Sequence, residues 1–146
     1  MKKLVLVLVS MFALINATWA DDDKPIKVTD MPQAAQAFIK QHFPNSSVAL
    51  AKMEKDFFDR SYDVIFTDGN KVDFNRKGEW MEVDCRYTQV PEAIIPAPIK
   101  TYINDQYPDA KIIGIEKNDR GGYEAKISKG WELTFDKKFN VIDIDD

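Results

Sequence analysis

Hydrophobic spacing divides the chain into two passages of the same make. From Pro32 to Phe43 the apolar residues Ala35, Phe38, Ile39 and Phe43 recur at three- and four-residue steps, the spacing of one helix face. Thr29 or Asp30 suits the N-cap and Pro32 the first turn. Pro44 ends the helix, because the residue before a proline avoids the α region. Four strand-like runs follow. Ser47–Lys55 is apolar and then turns charged. Ser61–Thr67 places Tyr62, Val64 and Phe66 on one face, and Lys71–Asn75 places Val72 and Phe74 there. Trp80–Cys85 adds Met81, Val83 and Cys85 to the apolar set. Asp68-Gly69-Asn70 and Arg76-Lys77-Gly78-Glu79 are turn signals, and such short polar connections predict an antiparallel meander.

The second passage repeats the first. Phe38-Ile39-Lys40-Gln41-His42-Phe43-Pro44-Asn45 reappears as Tyr102-Ile103-Asn104-Asp105-Gln106-Tyr107-Pro108-Asp109. Tyr62-Asp63-Val64 answers Tyr123-Glu124-Ala125, and Val72-Asp73-Phe74 answers Leu133-Thr134-Phe135. The second copy carries extra residues, Ile94–Pro98, before a helix from about Pro98 to Gln106. Strands are predicted over Lys111–Lys117, Tyr123–Ser128, Trp131–Phe135 and Val141–Asp145, with Tyr123, Ala125, Ile127, Leu133, Phe135, Ile142 and Ile144 facing inward. The fold class is therefore α+β: a tandem repeat of a helix plus a four-stranded antiparallel sheet. Residues 29–86 form the first repeat and 87–146 the second, the two making one compact domain. The helices cover one sheet face and leave the other open, as an antiparallel sheet can.

The ends of the chain define its compartment. Lys2 and Lys3, the apolar run Leu4–Ile15 and Thr18-Trp19-Ala20 read as a signal peptide over residues 1–20. Twelve residues rise only about 18 Å, too short for a hydrocarbon core of about 30 Å. The expected location is periplasmic or secreted. No cysteine stands at the cleavage site to carry a lipid, so no membrane attachment is expected after cleavage. Residues 21–28 read as a mobile N-terminus. Removing residues 1–20 takes two of the 20 basic residues and none of the 24 acidic ones, so net charge falls from −4 to −6. Such a surface disfavours nucleic acid as a partner. A single Cys in an exported chain also excludes an internal disulfide.

Candidate chemistry is sparse. Asp73-Phe74-Asn75-Arg76-Lys77-Gly78 with Asp84 mimics a calcium loop, but Lys77 stands where a ligand oxygen is needed, which favours a β-turn. Asp143, Asp145 and Asp146 are matched by Asp21–Asp23 at the other terminus, and strand alternation makes the former a solvated edge. His42, the one histidine, lies at a helix end and has Gln106 as its counterpart; Cys85 alternates with core residues. A Cys–His nucleophile, a transition-metal set, a cofactor and a carboxylate dyad all lack support.

At this point a resemblance emerges. The leader, the doubled helix-plus-sheet unit, the aromatic-Pro-(Asn/Asp) helix ends, Tyr-(Asp/Glu)-(Val/Ala) and the Gly-centred turns resemble the PepSY-like family of periplasmic proteins, similar in fold to the secreted β-lactamase inhibitor protein. The resemblance implies a sheet face that grips a protein partner, and an inhibitory or peptidase-regulating role. By strand parity the open face carries Asp63, Ile65, Trp80, Glu82, Asp84, Lys126 and Glu132, with Trp80 as the aromatic anchor in an acidic rim. The expected function is a non-enzymatic protein- or peptide-binding module acting on a peptidase or other hydrolase. The alternative is a small-ligand or cation-binding protein of the cell envelope. Oligomeric state, including dimerisation through edge strands, stays open.

Overall fold

The computed structural model describes residues 23–146, so the signal-peptide reading of residues 1–20 lies outside the described residues. Nine strands form one antiparallel sheet in chain order: β1 (Asp23–Ile26), β2 (Val48–Lys55), β3 (Arg60–Phe66), β4 (Lys71–Phe74), β5 (Trp80–Asp84), β6 (Ile112–Lys117), β7 (Tyr123–Ile127), β8 (Glu132–Phe135) and β9 (Val141–Asp145). Helix α1 (Gln33–His42) precedes β2, and α2 (Ala97–Gln106) lies between β5 and β6. Each helix packs on the same side of the sheet. Pairing of β5 with β6 makes the sheet continuous across the two halves.

Both helices start on a proline and end before one. Pro32 and Pro96 hold the N-cap positions, so the N-cap expected at Thr29 or Asp30 is displaced. Thr29 and Asp30 instead belong to a 3-10 turn, Val28–Asp30, where the Asp30 carboxylate accepts the Lys27 N–H. At the other ends Phe43 and Tyr107 donate their N–H to Ile39 and Ile103, both at 2.8 Å, and Pro44 and Pro108 forbid a further turn.

The core lies between helices and sheet. Ala35 and Ile39 of α1 and Ile99 and Ile103 of α2 are buried against Val64, Phe66, Val72, Phe74, Val83, Ile115, Ala125, Ile127, Leu133 and Phe135. Gly78 lets α1 dock: its φ is +82°, and an added Cβ would lie 2.8 Å from the Pro32 Cβ and 2.9 Å from the Ala35 nitrogen.

Three expectations are corrected. Asp23–Ile26, within the segment read as mobile, forms edge strand β1, paired with Ala51–Glu54 and tied by a 3.1 Å Lys52–Asp23 ion pair. Trp80 does not sit on the open face. The β4–β5 register shifts between Asp73 and Phe74, so Glu82 opposes Asp73 while Trp80 opposes Phe74. Met81 is the extra residue of a bulge, and the bulge turns Trp80 to the helix side. The β8–β9 pair repeats this shift between Thr134 and Phe135. There Val141 opposes Phe135, while Ile142 and Ile144, expected in the core, are 56% and 42% exposed. Ile144 shares the face of buried Leu133, but β9 is the last strand and nothing among the described residues lies beyond it.

Candidate functional site

The uncovered face is built from the alternate residues of each strand. Register fixes how they line up. Lys52, Asp63, Asp73, Glu82, Glu116, Glu124, Thr134 and Asp143 are successive cross-strand neighbours from β2 to β9. A second row runs Ile65, Lys71, Asp84, Gly114, Lys126, Glu132 and Asp145. Strand parity therefore places Asp63, Ile65, Glu82, Asp84, Lys126 and Glu132 on this side. Glu82, Asp84, Lys126 and Glu132 also line one shallow dimple over Gly114, together with Glu116 and Glu124. Asp63 and Ile65 lie on β3, three strands from Gly114.

Like charges directly opposite one another are destabilising, and this face contains several. Asp63 and Asp73 oppose each other, with side chains only 8% and 23% exposed. Burial pushes both carboxyls up, and for Asp63 the hydrogen bond to Asp73 and its charge push further. Lys52 (3.6 Å) and Lys71 (4.0 Å) oppose that rise at Asp63, and Lys71 lies 3.3 Å from Asp73. Glu124 is also raised, first by its hydrogen bond with Glu132, then by burial and by the charges of Glu132 and Glu116. The face concentrates negative potential beyond what its three lysines neutralise.

Trp80 belongs to an aromatic run on the opposite side. Its ring lies 6.5 Å from Phe38 and 6.4 Å from Tyr123, and Tyr123 stacks on Phe139 at 5.9 Å. The Lys117 Nζ sits 4.2 Å above the indole. These contacts join the two halves of the molecule, which is a packing role.

Sequence reasoning missed the most exposed aromatic pair. The β2–β3 hairpin closes on Asp56–Asp59, whose backbones bond to each other in both directions. The Asp56 and Asp59 carboxylates accept the N–H groups of Phe57 and Arg60 at 2.7 and 2.8 Å. This turn leaves Phe57 and Phe58 both 95% exposed, while no other described phenylalanine is exposed. Phe57 lines a hollow of about 900 Å³ with Asp23, Glu54 and Ser61 of the open face. The signal was available: two adjacent aromatics between aspartates, where period-two alternation cannot bury both.

The other candidates are dispersed. The calcium-loop mimic is a hairpin turn in which the Asn75 Oδ1 accepts the N–H groups of Lys77 and Glu79, both at 3.0 Å. Asp23 and Asp143 sit on opposite edge strands, about 38 Å apart along the sheet at ~4.8 Å per strand. His42 ends α1 against Phe38, and burial lowers its pKa. Cys85 is fully buried, with its thiol pushed up to about 12, first by burial. Among the described residues no group of three or more His, Cys, Asp or Glu is placed to hold a metal ion, and no helix is long and apolar enough to cross a membrane.

The model of the family described as "Putative beta-lactamase-inhibitor-like, PepSY-like" matches residues 14–58 and 60–143. The chain belongs to this family. Solved structures agree closely with it. A "putative calcium-regulated periplasmic protein" of Bacteroides thetaiotaomicron is 63% identical, with a TM-score of 0.83 over 86% of this chain and 98% of its own. A "putative periplasmic protein" of Bacteroides vulgatus is 59% identical, with a TM-score of 0.83 over 87% and 99%. A second from B. vulgatus, described as of unknown function, is 40% identical, with a TM-score of 0.79 over 85% and 99%. No curated protein matches the chain. All three relatives are described as periplasmic, and the location of this family member is the same.

Proposed function

We propose that this chain is an exported, non-enzymatic module that binds a basic protein or peptide segment on the open face of its sheet. The observation that carries the reading is the acidic row in register from Asp63 to Glu124, with the bare Gly114 beside its centre. Complementary charge steers encounter and fixes register more than it sets affinity, so apolar contact must supply the rest. Phe57 takes the anchoring part that Trp80 cannot play, because it borders the same face and is 95% exposed, with the equally exposed Phe58 beside it on the turn. The family's inhibitor-like description makes a hydrolase the first partner class to test.

Duplication of one helix-plus-four-strand unit accounts for the breadth of the face. Matched details support it. Bulges recur at Val48/Leu50 and Ile112/Gly114, and again at Asp73/Phe74 and Thr134/Phe135. Gly69 and Gly130 both take positive φ in equivalent turns, and Asn75 and Asp136 each accept two turn N–H groups. A doubled surface follows from this; a doubled active site does not, since His42 faces Gln106 in the alignment.

The test is comparative capture from a periplasmic extract with wild-type protein, a Glu82→Lys/Glu116→Lys/Glu124→Lys variant and a Phe57→Ser/Phe58→Ser variant. A partner retained by the wild type and lost from both variants supports the reading. Identical capture by all three sinks it.

One observation favours a second reading, cation binding: the relative at 63% identity is described as calcium-regulated. Calcium takes six to eight oxygens, and no group of described carboxylates is placed to hold it as the side chains stand; Glu82, Glu116 and Glu124, adjacent on three neighbouring strands, are the ones that would have to converge on the ion. Here millimolar calcium raises the melting temperature, and Glu116→Gln/Glu124→Gln removes the effect. A melting curve indifferent to calcium eliminates this reading.

A further inference from the structure

The two edges of the sheet are treated differently. An edge strand offers unpaired N–H and C=O groups, and proteins blunt such edges with proline, lysine and short length. Strand β1 uses all three: it has four residues and carries Lys24 and Pro25. Strand β9 is one residue longer and has neither proline nor lysine. Among the described residues Val141–Asp145 pairs with β8 on one side alone, and it exposes Ile142 and Ile144. Its two sides also differ. Ile144 shares the helix side with Leu133, whereas Asp143 and Asp145 share the open side with Thr134 and Glu132.

We infer that β9 is an acceptor for an added strand: an extended segment of a partner protein, four to five residues long, alternating apolar and basic side chains. Its backbone would continue the ladder. Its apolar residues would cover Ile144 and its basic residues would face Asp143 and Asp145. This mode of recognition draws affinity from the backbone bonds and specificity from alternate side chains. Charge disfavours a second copy as the occupant. Antiparallel pairing of two β9 strands with faces matched sets aspartate opposite aspartate, which is destabilising, and each chain is already net acidic. A β1-to-β9 filament is opposed by Pro25. The inference stands apart from the proposed open-face site, because it rests on the strand edge.

The probe is a fluorescein-labelled peptide of alternating lysine and valine, compared with the same peptide N-methylated at every residue. Anisotropy is expected to show binding of the first peptide and loss of the second, while β9 amides exchange more slowly in the complex. Asp143→Lys/Asp145→Lys should weaken binding by about tenfold or more and restore it for a glutamate–valine peptide. Both substitutions are at exposed positions, so the fold is retained. Equal binding of the N-methylated peptide overturns the inference, as does unchanged β9 exchange or a concentration-dependent dimer abolished by Asp143→Lys/Asp145→Lys. Binding lost only in Glu82→Lys/Glu116→Lys/Glu124→Lys assigns the peptide to the open face and also overturns it.

Discussion

Replacing Asp73 by asparagine should stabilise the protein at pH 7, by an amount that shrinks as the pH falls. Asp63 and Asp73 are direct cross-strand neighbours, both largely removed from water. Two full charges about 5 Å apart repel by about 3 kcal/mol at an effective dielectric near 20. Lys71 and Lys52 offset much of this, and the amide would forfeit the 3.3 Å ion pair that Asp73 makes with Lys71. A net gain of about 1 kcal/mol remains, or about 3–5 °C in melting temperature for a chain of this size. The sign with pH follows from linkage. Both carboxyls are raised in the folded protein, so the folded chain holds more protons than the unfolded chain above the ordinary Asp value of about 3.9. Stability contributed by the pair is therefore greatest at low pH and falls as pH rises through the folded values. Below that range the wild-type pair is itself protonated, and the amide has nothing left to relieve. Thermal unfolding of both proteins from pH 4 to pH 7 measures the difference. A lower melting temperature for Asp73→Asn at pH 7, or a gain that does not vary with pH, refutes the reasoning. The same repulsion is what a cationic partner would relieve, which connects this measurement to the proposed function.

Other outcomes follow from the packing. Trp80→Ala should cost about 2–3 kcal/mol in urea unfolding, since the indole joins Phe38, Tyr123 and Lys117 across the seam; a change within about 0.5 kcal/mol would return Trp80 to the surface. Gly78→Ala should cost at least about 2 kcal/mol by the same measurement, because the residue has φ +82° and its Cβ would meet α1 backbone; a neutral result would mean that α1 does not dock there. Cys85 should resist thiol reagents at pH 8 until urea unfolds the chain, given complete burial and a thiol pushed up to about 12; rapid native labelling would contradict the core placement. Phe57→Ser/Phe58→Ser should leave the melting temperature within about 1 °C, because both rings are already solvated; a large drop would make the tip structural.

Local chemistry made much of this molecule legible. Prolines at 32, 44, 96 and 108 bracket two ten-residue helices, and period-two alternation identifies Val64, Val72, Val83, Ala125 and Leu133 as one buried row. The same parity put Asp63, Glu82, Asp84, Lys126 and Glu132 on the opposite side. Those results depend on residues a few positions apart, whose geometry the backbone period sets by itself. The remaining features depend on counts along two strands at once. A single extra residue, Met81, reverses the one side chain before it in β5, so Trp80 leaves the open face for the seam. Asp23–Ile26 reads as a charged tail until β2 offers it a partner. Ile142 and Ile144 carry a core pattern, yet burial needs a neighbour on the far side, and β9 has none among the described residues. Phe57 and Phe58 are apolar by composition and solvated by position, because hairpin closure at Asp56–Asp59 turns both rings outward. Local alternation assigns most residues to a face; register, bulges and edges, which arise only when strands pair, decide what each face and edge presents.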